Sequence, residues 1–370
     1  MSGAEISALF AVWSITALVA EVPSGALSDR FSRRRVLAAG GALQAGAYVL
    51  WLLAPGFAGF AAGFVLWGIG TSLYSGTVEA LAFEGLSAAG VPERYATVRG
   101  LVVAAGHAAQ IPSAVAATVL LAVGGYSAVG WVSVGTCLAA SLVTCSFPDP
   151  PRAGPPPEDD EDDREDQEED DGEEEPELSH LGTLRAGLAE AVGSGLVRGA
   201  MVAAALVGGI DALEEYFPLI VGQQEGVPLL AVPALLIVVA AAGAGGAALG
   251  GRAGRLQGRG LAVLVLLAGI ALAVTPAGGV LGLAALAAFH GLQQCAQIVT
   301  DARVQERLSG RARATATSVS ALLVELLALA VFAAWGLGGT LAVAAGVLAI
   351  APVVWWVLRP RVPARSPRSG

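Results

Sequence analysis

Pro23-Ser-Gly-Ala-Leu-Ser-Asp-Arg-Phe-Ser-Arg-Arg-Arg-Val-Leu37 is the place where one long apolar run ends and the next begins, with an acid and four arginines packed into the junction. A connection this short and this basic between two apolar runs fits a tight loop on the inner side of a membrane, where arginine accumulates. Gly25 and Ala26 are expected to let helices approach closely there. Asp29 sits where a helix end needs a partner, and Arg30, Arg33, Arg34 and Arg35 anchor the loop.

Composition agrees with a membrane chain. At 370 residues, 55% hydrophobic and a mean hydropathy of +0.67, the sequence is too apolar for an ordinary soluble domain. Its net charge of -10 is concentrated, because 16 of the 31 acids lie between residues 158 and 177 beside a single arginine, Arg164. The other 20 basic residues, all arginine, face 15 acids in the rest of the chain. Cys137, Cys145 and Cys295 fall inside apolar runs with no metal or redox spacing, so no metal and no cofactor is expected. No nucleophile with its base and no phosphate loop is present, which argues against an enzyme.

A hydrocarbon core of about 30 Å needs roughly 20 apolar residues per helix. On that measure the sequence predicts eleven spans, near 4–27, 36–54, 57–86, 97–123, 127–147, 196–221, 228–250, 260–275, 279–300, 314–335 and 340–358. With the Arg30 to Arg35 loop inside, alternation places every other arginine inside too, and the outer connections near Pro55, Gly124, Gln223, Pro276 and Gly338 hold none. Residues 149–185 are expected to be a disordered acidic linker on the cytoplasmic side, since like charges at that density cannot bury a core; a docking or ion-sensing tail is the alternative. The linker divides a bundle of five spans, 1–148, from one of six, 186–370. The halves repeat one another. Glu79-Ala-Leu-Ala-Phe-Glu84-Gly-Leu86-Ser87 ends the third span, and Asp301-Ala-Arg-Val-Gln-Glu306-Arg-Leu308-Ser309 ends the ninth, six spans later.

Gly25, Leu27, Asp29, Arg30, Arg33 and Arg34 resemble the signature loop of the major facilitator superfamily, Gly-x-Leu-Ala-Asp-Arg-x-Gly-Arg-Arg/Lys, with Ser32 at the second glycine. The resemblance implies an all-α polytopic fold of two pseudo-symmetric helical bundles, ordinarily twelve spans. The loop follows the second helix in that family, so the present chain is expected to lack the first, through a misassigned start codon or a truncated gene, with a true eleven-span protein as the alternative. The resemblance also implies a cytoplasmic gate built on Asp29, Arg30, Arg33 and Arg34 with Glu84 and Arg99, and with Glu306 and Arg311 as the counterpart in the other half. Glu21, one turn before Gly25, is a further member. The family's antiporter pattern, Gly-x-x-x-Gly-Pro-x-x-Gly-Gly, is not present around Gly106 to Pro112.

Ionisable groups at membrane depth are costly and mark function by default. Glu325 lies mid-span among Leu and Val; low-dielectric surroundings favour the neutral form of an acid, which makes this carboxyl the first proton-coupling candidate, with packing alone as the alternative. Asp211, Glu214 and Glu215 fall at i, i+3 and i+4, one face of a helical span that is expected to line the central cavity or its outer mouth, with Asp211 the deeper proton-coupling candidate, Glu214 a cavity-lining residue, and mere solvation near the outer surface the alternative for the two glutamates. Glu79 is a third candidate for coupling, on a face with Thr71 and Ser75 that continues a cavity lining. His290, Gln294, Gln297 and Asp301 recur at i, i+4, i+7 and i+11 with Gln293 beside them, a polar stripe that lines a pathway or glues helices together. His107 and Gln110 are a smaller pair of the same kind, and Pro112, Pro218 and Pro233 mark places where helices can bend.

Read as a whole, the chain is expected to export a small organic molecule in exchange for protons, resembling bacterial drug-efflux members around Glu21 to Arg35 and Arg313 to Ser318. Proton-driven import, uncoupled facilitation and a non-transporting sensor or gene remnant are the rivals. The expected partners are substrate, protons and the lipid bilayer of the cell membrane, with the C-terminus cytoplasmic, no nucleic acid, and a monomeric state.

Overall fold

The computed structural model describes residues 1–75, 77–91, 94–148, 195–252, 256, 258–307 and 313–359, and these are helices joined by short turns. Helix α1, Gly3–Arg30, opens on a reciprocal cap: the Ser2 hydroxyl accepts the Glu5 N–H at 3.2 Å and the Glu5 carboxylate accepts the Ser2 N–H at 2.6 Å. It closes with the Phe31 N–H on the Leu27 carbonyl. Helix α2, Arg33–Leu53, follows at once. Phe31 and Ser32, which join the two, have φ of -106° and -54°, so the turn needs no left-handed residue and a serine serves where the family pattern has glycine. Gly25 has open space where a side chain would stand; the expected close helix approach does not occur there.

The expected span 57–86 is two helices. Helix α3, Phe57–Tyr74, stops where Ser75 leaves helical geometry with ψ of 129°, and α4, Thr77–Ala88, carries Glu79 and Glu84 separately. Conversely, the fourth and fifth expected spans are the arms of one 51-residue helix, α5, Tyr95–Cys145, broken at Gly125 with φ of 61°. An unbroken helix of that length would reach roughly 77 Å, more than twice the hydrocarbon core, so the chain must double back. It does: α2 and the second arm run antiparallel, Gly41 facing Ser141 and Gly130 facing Leu52.

The segment 196–221 also departs from the expected straight α-helix. Helix α6, Gly195–Gly208, passes into a 3-10 turn, Gly209–Tyr216, and then into α7, Phe217–Gly222. Pro218 has no N–H for the Glu214 carbonyl, so the Phe217 N–H takes that carbonyl in a three-residue turn. Helix α8 is Val232–Arg252, α9 Gly258–Val274 and α10 Gly279–Arg307; α11, Arg313–Leu358, bends at Gly338 and Gly339. Pro218 and Pro233 thus stand at helix starts, where a missing N–H costs little, while Pro112 and Pro23 lie inside α5 and α1. Among the described residues, eight helices are long and apolar enough to cross a bilayer, two of them being the bent ones.

Helices α1 to α5 pack together, as do α6 to α11. In lipid the attraction between helices is mainly close packing, which small residues permit. A side chain at Gly40 would meet the Gly70 carbonyl oxygen at 3.1 Å, and one at Gly246 would collide with Gly291, so the α2–α3 and α8–α10 seams are backbone against backbone. The halves join where α1 packs on α11 and α5 on α8. Phe10 of α1 sits there among Phe64, Tyr216 and Phe332, with centroids 5.7, 5.1 and 5.7 Å away, and Tyr216 stacks on Trp335 at 4.2 Å.

Candidate functional site

At the arginine-rich end, Arg33 forks onto Glu84. Its Nε donates to Oε2 at 2.7 Å and its Nη2 to Oε1 at 2.5 Å, while Nη1 donates to the Ser28 hydroxyl at 2.9 Å. Two parallel charge-assisted bonds fix the guanidinium plane, and the side chains are only 16% and 27% exposed. Arg34 Nη1 donates to the Phe147 carbonyl at 3.4 Å, tying the loop to the end of α5, and Arg30 occupies the last turn of α1. Glu21 accepts from the Ser75 hydroxyl at 2.6 Å. Arg33 and Glu84 are therefore brought together across 51 residues. The side chains of Asp29, Glu79, Arg99, His107 and Glu306, and all of Arg311, lie outside the described residues.

A second polar cluster is built between the 3-10 turn and α10. With three residues per turn, positions i and i+3 eclipse, so Asp211 and Glu214 stack on one edge while Glu215 turns away and is exposed. This corrects the single face of three acids that α-helical spacing implies. The Gln294 amide nitrogen lies between the stacked acids, donating to Asp211 Oδ1 at 2.9 Å and Glu214 Oε1 at 3.1 Å. The same Glu214 oxygen is 3.3 Å from His290 Nδ1. Gly243 on α8 leaves room for the imidazole, since any side chain there would overlap His290 Nε2, and the Phe217 ring stands edge-on to it at 5.2 Å.

One helical step on, Gln293 is 3% exposed. Its Nε2 donates to the Val207 carbonyl and to Gln297 Oε1, each at 3.2 Å. The backbone carbonyl can only accept, so the nitrogen must face it; Gln293 Oε1 is left buried without a donor. The polar stripe of α10 thus divides into His290 and Gln294, which serve the acids, and Gln293 and Gln297, which bind each other and α6. Asp301 is exposed near the end of α10. Thr71 bonds back to Trp67 of its own helix, the Ser75 hydroxyl donates to Glu21, and Gln110 is exposed on α5.

Glu325 lies on α11, opposite α1. Its Oε2 accepts from the Ser14 hydroxyl at 2.7 Å, and the Ser7 and Tyr216 hydroxyls meet at 2.9 Å. Both bonds cross between the halves, and the second ends on the 3-10 turn that carries Asp211 and Glu214. Ser7, Ser14 and Tyr216 were not among the expected site residues; the spacing Ser7, Phe10, Ser14 along one helix face was the available signal. A separate cavity of about 680 Å³ opens at the loop end of the C-terminal bundle, lined by Gln223, Gln224, Glu225, Thr275 and Thr340. Among the described residues no three His, Cys, Asp or Glu side chains converge as a metal cage requires.

Two helical bundles of bilayer-spanning length, touching along α1 and carrying acids at that contact, define a polytopic membrane carrier. Residues 1–326 match the profile of the Major Facilitator Superfamily; the chain belongs to that superfamily, and is a membrane transporter and not an enzyme. A comparison with the curated proteins found no match. Among solved structures, the nucleoside transporter NupG is similar at a TM-score of 0.68 and 12% identity, over 97% of this chain and 89% of that one. A bacterial homolog to the human lysosomal transporter Spinster gives 0.68 at 16% identity, over 98% and 92%. A D-xylose-proton symporter gives 0.66 at 15%, over 96% and 88%. At these identities the likeness is one of fold.

Proposed function

We propose that the chain exports a small organic molecule across the cell membrane in exchange for protons, by alternating access of its two bundles, with the C-terminus cytoplasmic. The observation that carries this reading is the Asp211, Glu214, Gln294 and His290 cluster beside the contact between the halves. Two carboxyls held by one amide can be ionised or share a proton, and the choice changes what the site binds. Glu325 extends the coupling. Ionised, it accepts the Ser14 hydroxyl across the halves; once protonated it loses the charge that strengthens that bond, so proton binding there favours separation of α1 from α11. The Arg33 and Glu84 fork serves as part of the gate at the opposite end of α1.

The test is transport by the purified chain in liposomes with an imposed pH gradient. Substrate is expected to move against its own gradient, with loss in Glu325→Gln and Glu214→Gln but not in Glu215→Gln. Flux that only runs down the substrate gradient, unchanged by pH, identifies an uncoupled facilitator; accumulation in the direction of proton flow identifies an importer.

A further inference from the structure

The interior of this transporter carries acids and almost no bases. Residues 36–93, 100–151, 199–251, 260–302 and 314–358 hold no arginine or lysine, and their only bases are His107 and His290. Within those ranges lie Asp211, Glu214, Glu215 and Glu325. An anionic solute entering between the bundles would meet these carboxylates with no arginine or lysine in the same ranges to offset them, in surroundings where charge interactions are strong.

The hydrogen-bond inventory points the same way. The amide donors next to the acids are already engaged, Gln294 Nε2 by both acids and Gln293 Nε2 by Val207 and Gln297, while His290 Nδ1 lies 3.3 Å from a Glu214 oxygen. What lacks a partner is an acceptor, Gln293 Oε1, on the seam where Asp211 follows Val207 by one turn. A ligand for this site must therefore bring donors, and an ammonium group is all donor and no acceptor. Access exists, because the Glu214 side chain is 42% exposed. The adjoining Phe10, Phe332 and Phe217 pack with one another's neighbours and keep the surroundings of the acids apolar.

Building on the transport reading above, we infer that the transported molecule is a protonated amine with an apolar body, its N–H groups taken by Asp211, Glu214 and Gln293 Oε1. The amine requires the carboxyls ionised, and protons compete for the same oxygens, so one site exchanges the two. The other titratable groups around it are Glu215 and Tyr216 on the same turn, His290, Cys295, Asp301 and Arg303 on α10, Glu325 on α11, Glu5 and Glu21 on α1, and Arg198 at the far end of α6; α8 carries none before Arg252.

Three indoles of one shape test the assignment on the purified full chain: tryptamine, uncharged 3-ethylindole and anionic indole-3-propionate. Tryptamine is expected to bind, and more weakly as pH falls. Its affinity should drop tenfold or more in Glu214→Gln and Asp211→Asn, about threefold in Gln293→Leu, and stay unchanged in Glu215→Gln, with Glu214→Asp retaining most of it. Thermal unfolding of each variant separates loss of fold from loss of site. Equal or tighter binding of 3-ethylindole or indole-3-propionate, or no binding of tryptamine, overturns the assignment. If liposomes carry either of those two and not tryptamine, the transport reading stands and the amine falls; if none of the three moves or binds, both fall.

Discussion

The hydroxyl of Ser14 on α1 donates to Oε2 of Glu325 on α11 at 2.7 Å, a hydrogen bond between residues 311 positions apart that joins the two halves. Seven residues earlier on α1, Ser7 meets Tyr216 at 2.9 Å, so one helix face carries two rungs of the same contact.

Ser14→Ala removes the upper rung. A hydrogen bond to a charged group contributes about 1.5–3 kcal/mol, and about 1.4 kcal/mol is tenfold in a conformational equilibrium. Distances between spin labels on α1 and α11 are expected to show the separated state at least tenfold enriched; an unchanged distance distribution would remove Glu325 from the coupling scheme.

The Arg33 and Glu84 fork is tested by geometry rather than charge. Arg33→Lys keeps the charge but presents no planar pair of donors, and Glu84→Gln keeps the shape but not the charge. Each is expected to destabilise the N-terminal bundle by about 1–2 kcal/mol, a discounted value for a partly exposed pair, seen as a lower Tm in detergent. The exchange Arg33→Glu with Glu84→Arg should recover part of the loss, and no recovery would mean the pair is incidental.

Adjacent glycines on α8 give a packing test. A Cβ on Gly246 collides with the Gly291 backbone, whereas Gly245 faces open space. Gly246→Ala is expected to cost about 1–3 kcal/mol through overpacking, and Gly245→Ala to be neutral or slightly stabilising. Similar thermal shifts for both would show that the α8–α10 seam is looser than its backbone contact implies.

Gln294 holds Asp211 and Glu214 on one nitrogen, so Gln294→Leu takes away the one donor that the two acids share. Proton-coupled flux is expected to fall more than tenfold, against threefold or less for Gln297→Leu, whose amide oxygen only accepts from Gln293. Flux that is equal in the two variants, at equal stability, would sink the special role of Gln294.

Much of the architecture was legible in one dimension because lipid imposes a one-dimensional demand: about 20 apolar residues per crossing, with arginine held to one side. The junction at Asp29 to Arg35, the family resemblance it carries and the all-helical class follow from that. Broken helices were harder. Gly125, Gly338 and Gly339 lie within nearly continuous apolar sequence, and the stop at Ser75 inside the expected third span rests on one residue's ψ.

The candidate site divides the same way. Its residue types were visible, since an acid or amide in an apolar run stands out by cost alone. Which of them meet was not. Helical spacing grouped Asp211, Glu214 and Glu215, yet Gly209–Tyr216 is a 3-10 turn, and the turn selects Asp211 with Glu214 and turns Glu215 outward. The amide partner of the selected pair comes from 80 and 83 residues away, on α10, and Ser14 reaches Glu325 from the other bundle. Periodicity reports a side chain's own helix face. Only the packing of one helix on another decides which faces are opposed, and so which acid finds an amide, which finds a serine and which is left in the open.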